Sequence, residues 1–258
     1  MNGASGLAYD GGAQRLFVAD HYNNRVLRFN VGAGLGNGAA ADAVIGQSSF
    51  AAGAPTTNQP GLNGPAGLGS SAGRLYVSDY NNSRLAVHNT ASLASGQNAA
   101  DLLGALNPAN APAYLKKGVN NSPGHRGFFN PNGATVDAAN HRLFVADSRN
   151  HRVFVYRLDG NNNLQAPLPE SVIGQSDFDS NTPAAGAAGL NFPEGLAYDA
   201  AGNRLFVADA QNHRVLAYNV GTGVIPSGIA AAGVLGQGNF TDAASGTTQT
   251  RMTVSYTH

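Results

Sequence analysis

The sequence predicts an all-β fold made of four copies of one four-stranded unit, and three observations predict it. The stretch RLFVADHYNNRVLRFNV, opening at Arg15, returns as RLYVSDYNNSRLAVHNT from Arg74, RLFVADSRNHRVFVYRL from Arg142 and RLFVADAQNHRVLAYNV from Arg204, at spacings of 59, 68 and 62 residues. Each copy holds two runs rich in Val, Leu, Phe and Tyr around a polar turn, the pattern of paired strands. No segment sustains the apolar period of a helix. A repeat this long is a whole supersecondary unit that buries its faces against its neighbours.

The elements of each unit follow in order. Strand a is read in GLAYD (6–10), GLGSS (67–71), GATVD (133–137) and GLAYD (195–199). Strand b is the RLFVAD-type run and ends on Asp20, Asp79, Asp147 and Asp209. Strand c starts five residues later at Arg25, Arg84, Arg152 and Arg214, with Asn23, Asn82, Asn150 and Asn212 between them. Strand d is read in VIGQSSF (44–50), LLGALN (102–107), VIGQSDF (172–178) and VLGQGNF (234–240). Gly, Asn, Asp and Pro punctuate the joints. Four-stranded antiparallel units in series predict a β-propeller, here one domain over 1–258 with blades at about 2–50, 62–107, 128–178 and 190–240. Residues 241–258 are read as a tail or an incomplete fifth blade. A fifth LNFPEGLAYD element is due near residue 252, and the sequence there, RMTVSYTH, predicts loss of the repeat register.

Composition agrees. A chain of 258 residues, 42% hydrophobic and with 34 glycines, has enough apolar content for a sizeable core and a turn residue for every blade corner. Fifteen basic and fifteen acidic residues cancel, so no global field recruits nucleic acid or an anionic membrane. With no cysteine, disulfides, thiolate metal sites and a cysteine nucleophile are excluded. There is no apolar run of membrane-spanning length and no secretory leader pattern.

The pattern PEGLAYD…NRLFVADAQNHRVLAYN, with its Asn-His-Arg turn, resembles the NHL repeat, and ADAVIGQSSF with SVIGQSDF and GVLGQGNF resembles its long-linker bacterial variety. The similarity runs from about residue 2 to 240. It implies a propeller of six blades, four of them in this chain, and an extracytoplasmic bacterial setting; the alternative is a closed ring of four blades with RMTVSYTH as its closing strand. Self-association is the expected consequence if the propeller is incomplete.

Antiparallel topology puts the b–c turns and the d–a linkers on one face, so this linker face is the candidate functional face. Residues filled alike in every blade, Asp20 with Arg25, Asp79 with Arg84, Asp147 with Arg152 and Asp209 with Arg214, are assigned to shaping the turn, the Arg bridging its carboxylate bidentately. Candidate ligand residues are those the repeat does not require. His21 follows the strand-b Asp where other blades have Tyr80, Ser148 and Ala210, and Ser5, Ala66, Asn132 and Glu194 vary at the start of strand a. The ligand-binding set is therefore His21, Tyr80, Asn132, Arg149 and Glu194. Asn132 and Glu194, as oxygen ligands, are the candidate calcium pair, and a Glu at this place resembles the gluconolactonase and paraoxonase type of propeller. A solvated Glu at a strand start is the plainer and preferred reading. A zinc site like that of the amidating lyase resembling NHL propellers needs three converging histidines, and only His21 and His125 stand at candidate positions.

Three motif matches are set aside. Gly69-Ser70-Ser71-Ala72-Gly73 fits a nucleophile elbow but lies in the a–b hairpin, and GAGLGNG (32–38) has no helix after it to present amides to phosphate. DGNNN (159–163) lacks the later Glu of a calcium loop. The longest linker, between Leu106 and Phe129, carries Tyr114, Lys116, Lys117, His125 and Arg126, a local basic and aromatic cluster near Arg149. The functional expectation is a non-enzymatic binding scaffold for a protein, peptide or glycan, with nucleic acid disfavoured by the small charge. The alternative is a calcium-dependent hydrolase or lyase at the axial mouth.

Overall fold

The computed structural model describes residues 1–32, 34, 36–118 and 123–252. Blade one is β1 (Ala4–Asp10), β2 (Arg15–Asp20), β3 (Arg25–Asn30) and β4 (Ala43–Ile45). Blade two is β5 (Pro65–Ser71), β6 (Arg74–Asp79), β7 (Arg84–Asn89) and β8 (Asp101–Leu103). Blade three is β9 (Pro131–Asp137), β10 (Arg142–Asp147), β11 (Arg152–Arg157) and β12 (Ser171–Ile173). Blade four is β13 (Pro193–Asp199), β14 (Arg204–Asp209), β15 (Arg214–Asn219) and β16 (Gly233–Leu235). Each is an antiparallel meander paired in chain order, and the four form a β-propeller. No helix among the described residues is long and apolar enough to cross a membrane.

Strand alternation explains why the blades stack. On β6, Leu75 and Val77 join a cluster with Phe17 and Ile45 of blade one, while Tyr76 between them packs with Phe154 and Val172 of blade three. On β10, Leu143 and Val145 face blade two and Phe144 faces Leu205 and Leu216 of blade four. A period of two thus gives each strand one face for each neighbour. Three apolar clusters result, at the junctions of blades one and two, two and three, and three and four; among the described residues none joins blade four to blade one. Leu7, Tyr9 and Leu235 are exposed.

At the inner edge the strands touch backbone to backbone. A Cβ on Gly67 of β5 would lie 2.2 Å from the Asn132 carbonyl oxygen, and one on Gly133 of β9 would lie 2.2 Å from that of Glu194. Only glycine permits this approach. At the same place the pairing of strands a and b slips, between Pro65 and Leu68 on β5 and between Pro193 and Leu196 on β13. Such bulges re-aim side chains.

The b–c turns are four short 3₁₀ turns, His21–Asn23, Tyr80–Asn82, Ser148–Asn150 and Ala210–Asn212, each ended by a left-handed residue, Asn24, Ser83, His151 or His213. The turn residues do more than close the hairpin. Asp79 accepts the linker amide of Asn63 on Oδ1 and the Arg84 Nε–H and Asn82 amide on Oδ2. Asp147 and Asp209 repeat this with the amides of Phe129 and Asn191. The bidentate Arg–Asp bridge expected from sequence is not what forms. Nε alone meets the carboxylate, and the Nη groups turn outward to linker carbonyls, as Arg152 does to Phe178 and Gly124. Those partly buried carbonyls need donors, and the guanidinium has five. Each Asp–Arg pair therefore ties two linkers to its blade.

The register does continue to residue 252. Leu62, Phe128 and Leu190 each crowd a positive-φ glycine after strand d, Gly46, Gly104 and Gly174, and Met252 stands over Gly236 in the same way, its amide on the Gly236 carbonyl at 3.3 Å. Leu190 to Met252 repeats the 62-residue interval from Phe128 to Leu190. The remainder of the predicted fifth element, 253–258, lies outside the described residues.

Candidate functional site

The axial rim of the linker face is built by the bulged starts of β1, β5, β9 and β13, which carry Ser5, Ala66, Asn132 and Glu194 at equivalent positions. The solvated Glu preferred from sequence is not found. Glu194 is 3% exposed, its Oε2 has no hydrogen-bond partner, and desolvation pushes its pKa up to about 7. Burial is the cause of this shift, since taking a carboxylate out of water favours its neutral form. Asn132, on the adjacent inner strand, is likewise buried with Nδ2 unpartnered. The inner strands β9 and β13, whose backbones touch, thus carry a buried donor and a buried acceptor without partners. Ser148 Oγ donates to the Pro193 carbonyl at 2.6 Å and so braces the peptide that leads into Glu194.

His21 and Tyr80 meet elsewhere, over blade two. Their rings are 6.3 Å apart, and His21 Nδ1 lies 3.1 Å from the Pro65 carbonyl oxygen. The Tyr80 carbonyl accepts the side-chain amide of Asn130 at 3.0 Å. Arg149 is exposed on the turn of blade three, its guanidinium 5.3 Å from the centre of the Phe129 ring. The five sequence candidates therefore form two groups, Asn132 and Glu194 with Arg149 on the turn nearby, and His21 with Tyr80. The donor set is short for calcium, which takes six to eight oxygens. Glu194 offers one unpartnered buried oxygen, Asn132's unpartnered atom is a nitrogen, Ser5 Oγ is engaged with the Pro65 carbonyl at 3.2 Å, and Ala66 offers none. No group of three or more His, Cys, Asp or Glu side chains converges among the described residues.

The long linker separates as well. Lys116, Lys117, His125 and Arg126 line one cavity of about 410 Å³ with Asp179. Tyr114 instead packs on the apolar cluster of blades one and two. Sequence reasoning missed Ser148 and Asp179. Ser148 sits at the varying position occupied by His21, which was a usable signal; Asp179 belongs to the following linker, and nothing local marks it.

The family model of the NHL repeat matches residues 128–156 and 190–218, the stretches from linker to strand c of blades three and four. The chain is a β-propeller of four four-stranded blades, two of which match the NHL repeat. Among solved structures it is similar to one of a nidogen/laminin complex, at 17% identity and a TM-score of 0.50, over 84% of this chain and 60% of that one. It is similar to a Lactobacillus plantarum protein, at 16% identity and 0.51, over 90% and 55%. A candidate 6-phosphogluconolactonase of Bacteroides uniformis matches at 10% identity and 0.53, over 86% and 55%. The chain spans 55% to 60% of the length of these structures. Identities this low carry the fold and not the activity. No curated protein matches the chain by sequence.

Proposed function

We propose that this NHL-repeat propeller is a binding scaffold whose linker face takes a peptide or glycan at the rim formed by Asn132 and Glu194. The observation that carries it is the pair of buried polar atoms without partners, Asn132 Nδ2 and Glu194 Oε2, on touching inner strands. A ligand amide or hydroxyl is both donor and acceptor and would satisfy both atoms, whereas leaving them unmade costs each its desolvation, about 1–3 kcal/mol. The Asp–Arg ties hold the linkers in place around the rim, so the site is pre-organised.

Glu194 also favours the second reading, a metal-dependent hydrolase or lyase, because a carboxyl poised near neutrality is a candidate acid or base. One experiment separates them. Metal-stripped protein is titrated calorimetrically with calcium, then screened on peptide and glycan arrays and on a lactone and ester panel, each beside Glu194→Gln. The scaffold reading expects array binding lost in Glu194→Gln and no turnover. Calcium-dependent turnover that disappears in the folded variant overturns it. Equal array binding by both proteins removes the rim as the site.

A further inference from the structure

The repeat departs from itself at one place in three ways. Pro65 follows Ile45 by 20 positions and Pro193 follows Ile173 by 20, but Pro131 follows Leu103 by 28. Where the other blades have Gln47, Gln175 and Gln237 after strand d, blade two has Ala105. Gln47 Nε2 donates to the Asn24 and Ala54 carbonyls, and Gln175 Nε2 to those of His151 and Thr182, which fastens the linker to the b–c turn. In blade two the inserted main chain takes over, with the Gly118 amide on the Asn82 carbonyl at 2.8 Å. The third departure is charge. The space between Gly104–Leu106 and the insertion is the 410 Å³ cavity, and Lys116, Lys117, His125 and Arg126 line it against one acid, Asp179.

The walls are fixed from beneath. Arg152, buried against Asp147, donates from Nη2 to the Gly124 carbonyl at 2.9 Å and from Nη1 to the Phe178 carbonyl at 2.5 Å, so one guanidinium holds both sides of the cavity. The His125 ring stands edge-on to Phe178, 5.9 Å between centres. Arg84 holds the near end through the Tyr114 carbonyl at 2.7 Å. Lys116, Lys117 and Arg126 make no ion pair among the described residues. On a chain of zero net charge, three uncompensated cations around a small-ligand-sized cavity are a local anion field.

We propose that the insertion between blades two and three builds a second binding site, a pocket for a sugar-sized oxyanion bearing a carboxylate or a phosphate. Lys116, Lys117 and Arg126 supply the charge, Arg126 with a fork that matches either group, and Asp179 accepts from a ligand hydroxyl. The site is separate from the axial rim.

Calorimetric titration of the chain at low salt with glucuronate, glucose 6-phosphate, inorganic phosphate and uncharged glucose tests it. At least one anion binds, glucose does not, and added sodium chloride weakens the binding. The triple variant Lys116→Ala, Lys117→Ala, Arg126→Ala binds about tenfold or more weakly while its circular dichroism is unchanged. Glucuronate without phosphate binding marks a carboxylate site, and the reverse marks a phosphate site. Glu194→Gln binds as the parent does, which keeps this test distinct from that of the rim. The pocket is refuted if no anion binds, if the triple variant binds equally, or if a single-stranded RNA oligonucleotide binds through these residues while the small anions do not.

Discussion

Arg214 donates from Nε to Asp209 Oδ2 across 2.7 Å, and neither side chain is exposed. Its Nη groups reach the Phe240, Gly186 and Gly189 carbonyls of two linkers. Five residues before Asp209 on β14, Arg204 contacts Asp199 at 2.6 Å with its side chain 49% exposed. The two pairs share chemistry and differ in solvent.

That difference sets the first prediction. Arg214→Ala leaves a buried carboxylate and several carbonyls without donors and destabilises the fold by about 3–5 kcal/mol. Arg204→Ala removes a screened surface pair and leaves the midpoint nearly unchanged. Urea denaturation of both variants is the check, and equal midpoints would contradict the assignment.

The blades were legible because period-two apolar runs and four copies reinforce each other, so strand b and strand c are found where the recurring arginines put them. The role of those arginines was half legible. A fixed Asp-to-Arg spacing reveals a turn pair, but the linker carbonyls that claim the Nη groups are distant in sequence and have no signature. Met252 hid the fifth interval because a thioether stands where Leu62 and Leu190 stand, and packing rather than identity defines that position. The rim residues were visible as variable positions, yet nothing in the sequence announces that Glu194 is buried. The anion pocket joins Lys116, Lys117 and Arg126 to Asp179 across two linkers, a juxtaposition made only by folding.

The left-handed residue after each 3₁₀ turn supplies the second prediction. His151, at φ 53°, accepts the Phe192 amide on Nδ1 at 3.0 Å, and Asn24, at φ 52°, accepts the Gly64 amide on its side-chain oxygen at 2.8 Å. His151→Asn should be nearly neutral, within about 0.5 kcal/mol. His151→Val combines a β-branched residue in the left-handed region with a lost acceptor and should cost about 2–4 kcal/mol. Denaturation curves that coincide would show that the turn tolerates any side chain.

The outer faces of the arc give the third. Leu7 is 65% exposed, Tyr9 57% and Leu235 55%. Exposed apolar strand faces bind hydrophobic dyes and associate. The combined variant Leu7→Thr, Tyr9→Thr, Leu235→Thr should reduce both dye fluorescence and concentration-dependent light scattering while keeping its circular dichroism. Dye binding unchanged by the three substitutions would place the apolar surface elsewhere.

His88 on β7 makes the fold acid-sensitive. It is fully buried, neither ring nitrogen has a hydrogen-bond partner, and burial, with the Arg84 charge, pushes its pKa down to about 4. Above pH 6.5 the ring is neutral in folded and unfolded chains alike, and it has no effect on the pH dependence. As pH falls below 6.5 the unfolded chain takes up the proton first, so stability is lost progressively down to pH 4. At pH 5 the loss from this one group is about 2 kcal/mol. Glu194 works in the opposite direction, since its raised pKa contributes stability present below about pH 4.5 and lost as pH rises to about 7. The two slopes therefore partly mask each other in the parent protein and must be separated by substitution. Phe29 of blade one occupies the place of His88, paired with Leu16 as His88 is with Leu75, so His88→Phe fits the repeat. Urea denaturation of parent and His88→Phe at pH 7.5 and pH 5 isolates the histidine, because the Glu194 contribution is common to both and cancels in the difference. The variant should gain about 2 kcal/mol relative to the parent on going to pH 5. Parallel pH slopes in the two proteins would mean that His88 is charged or solvated in the fold, contrary to its burial.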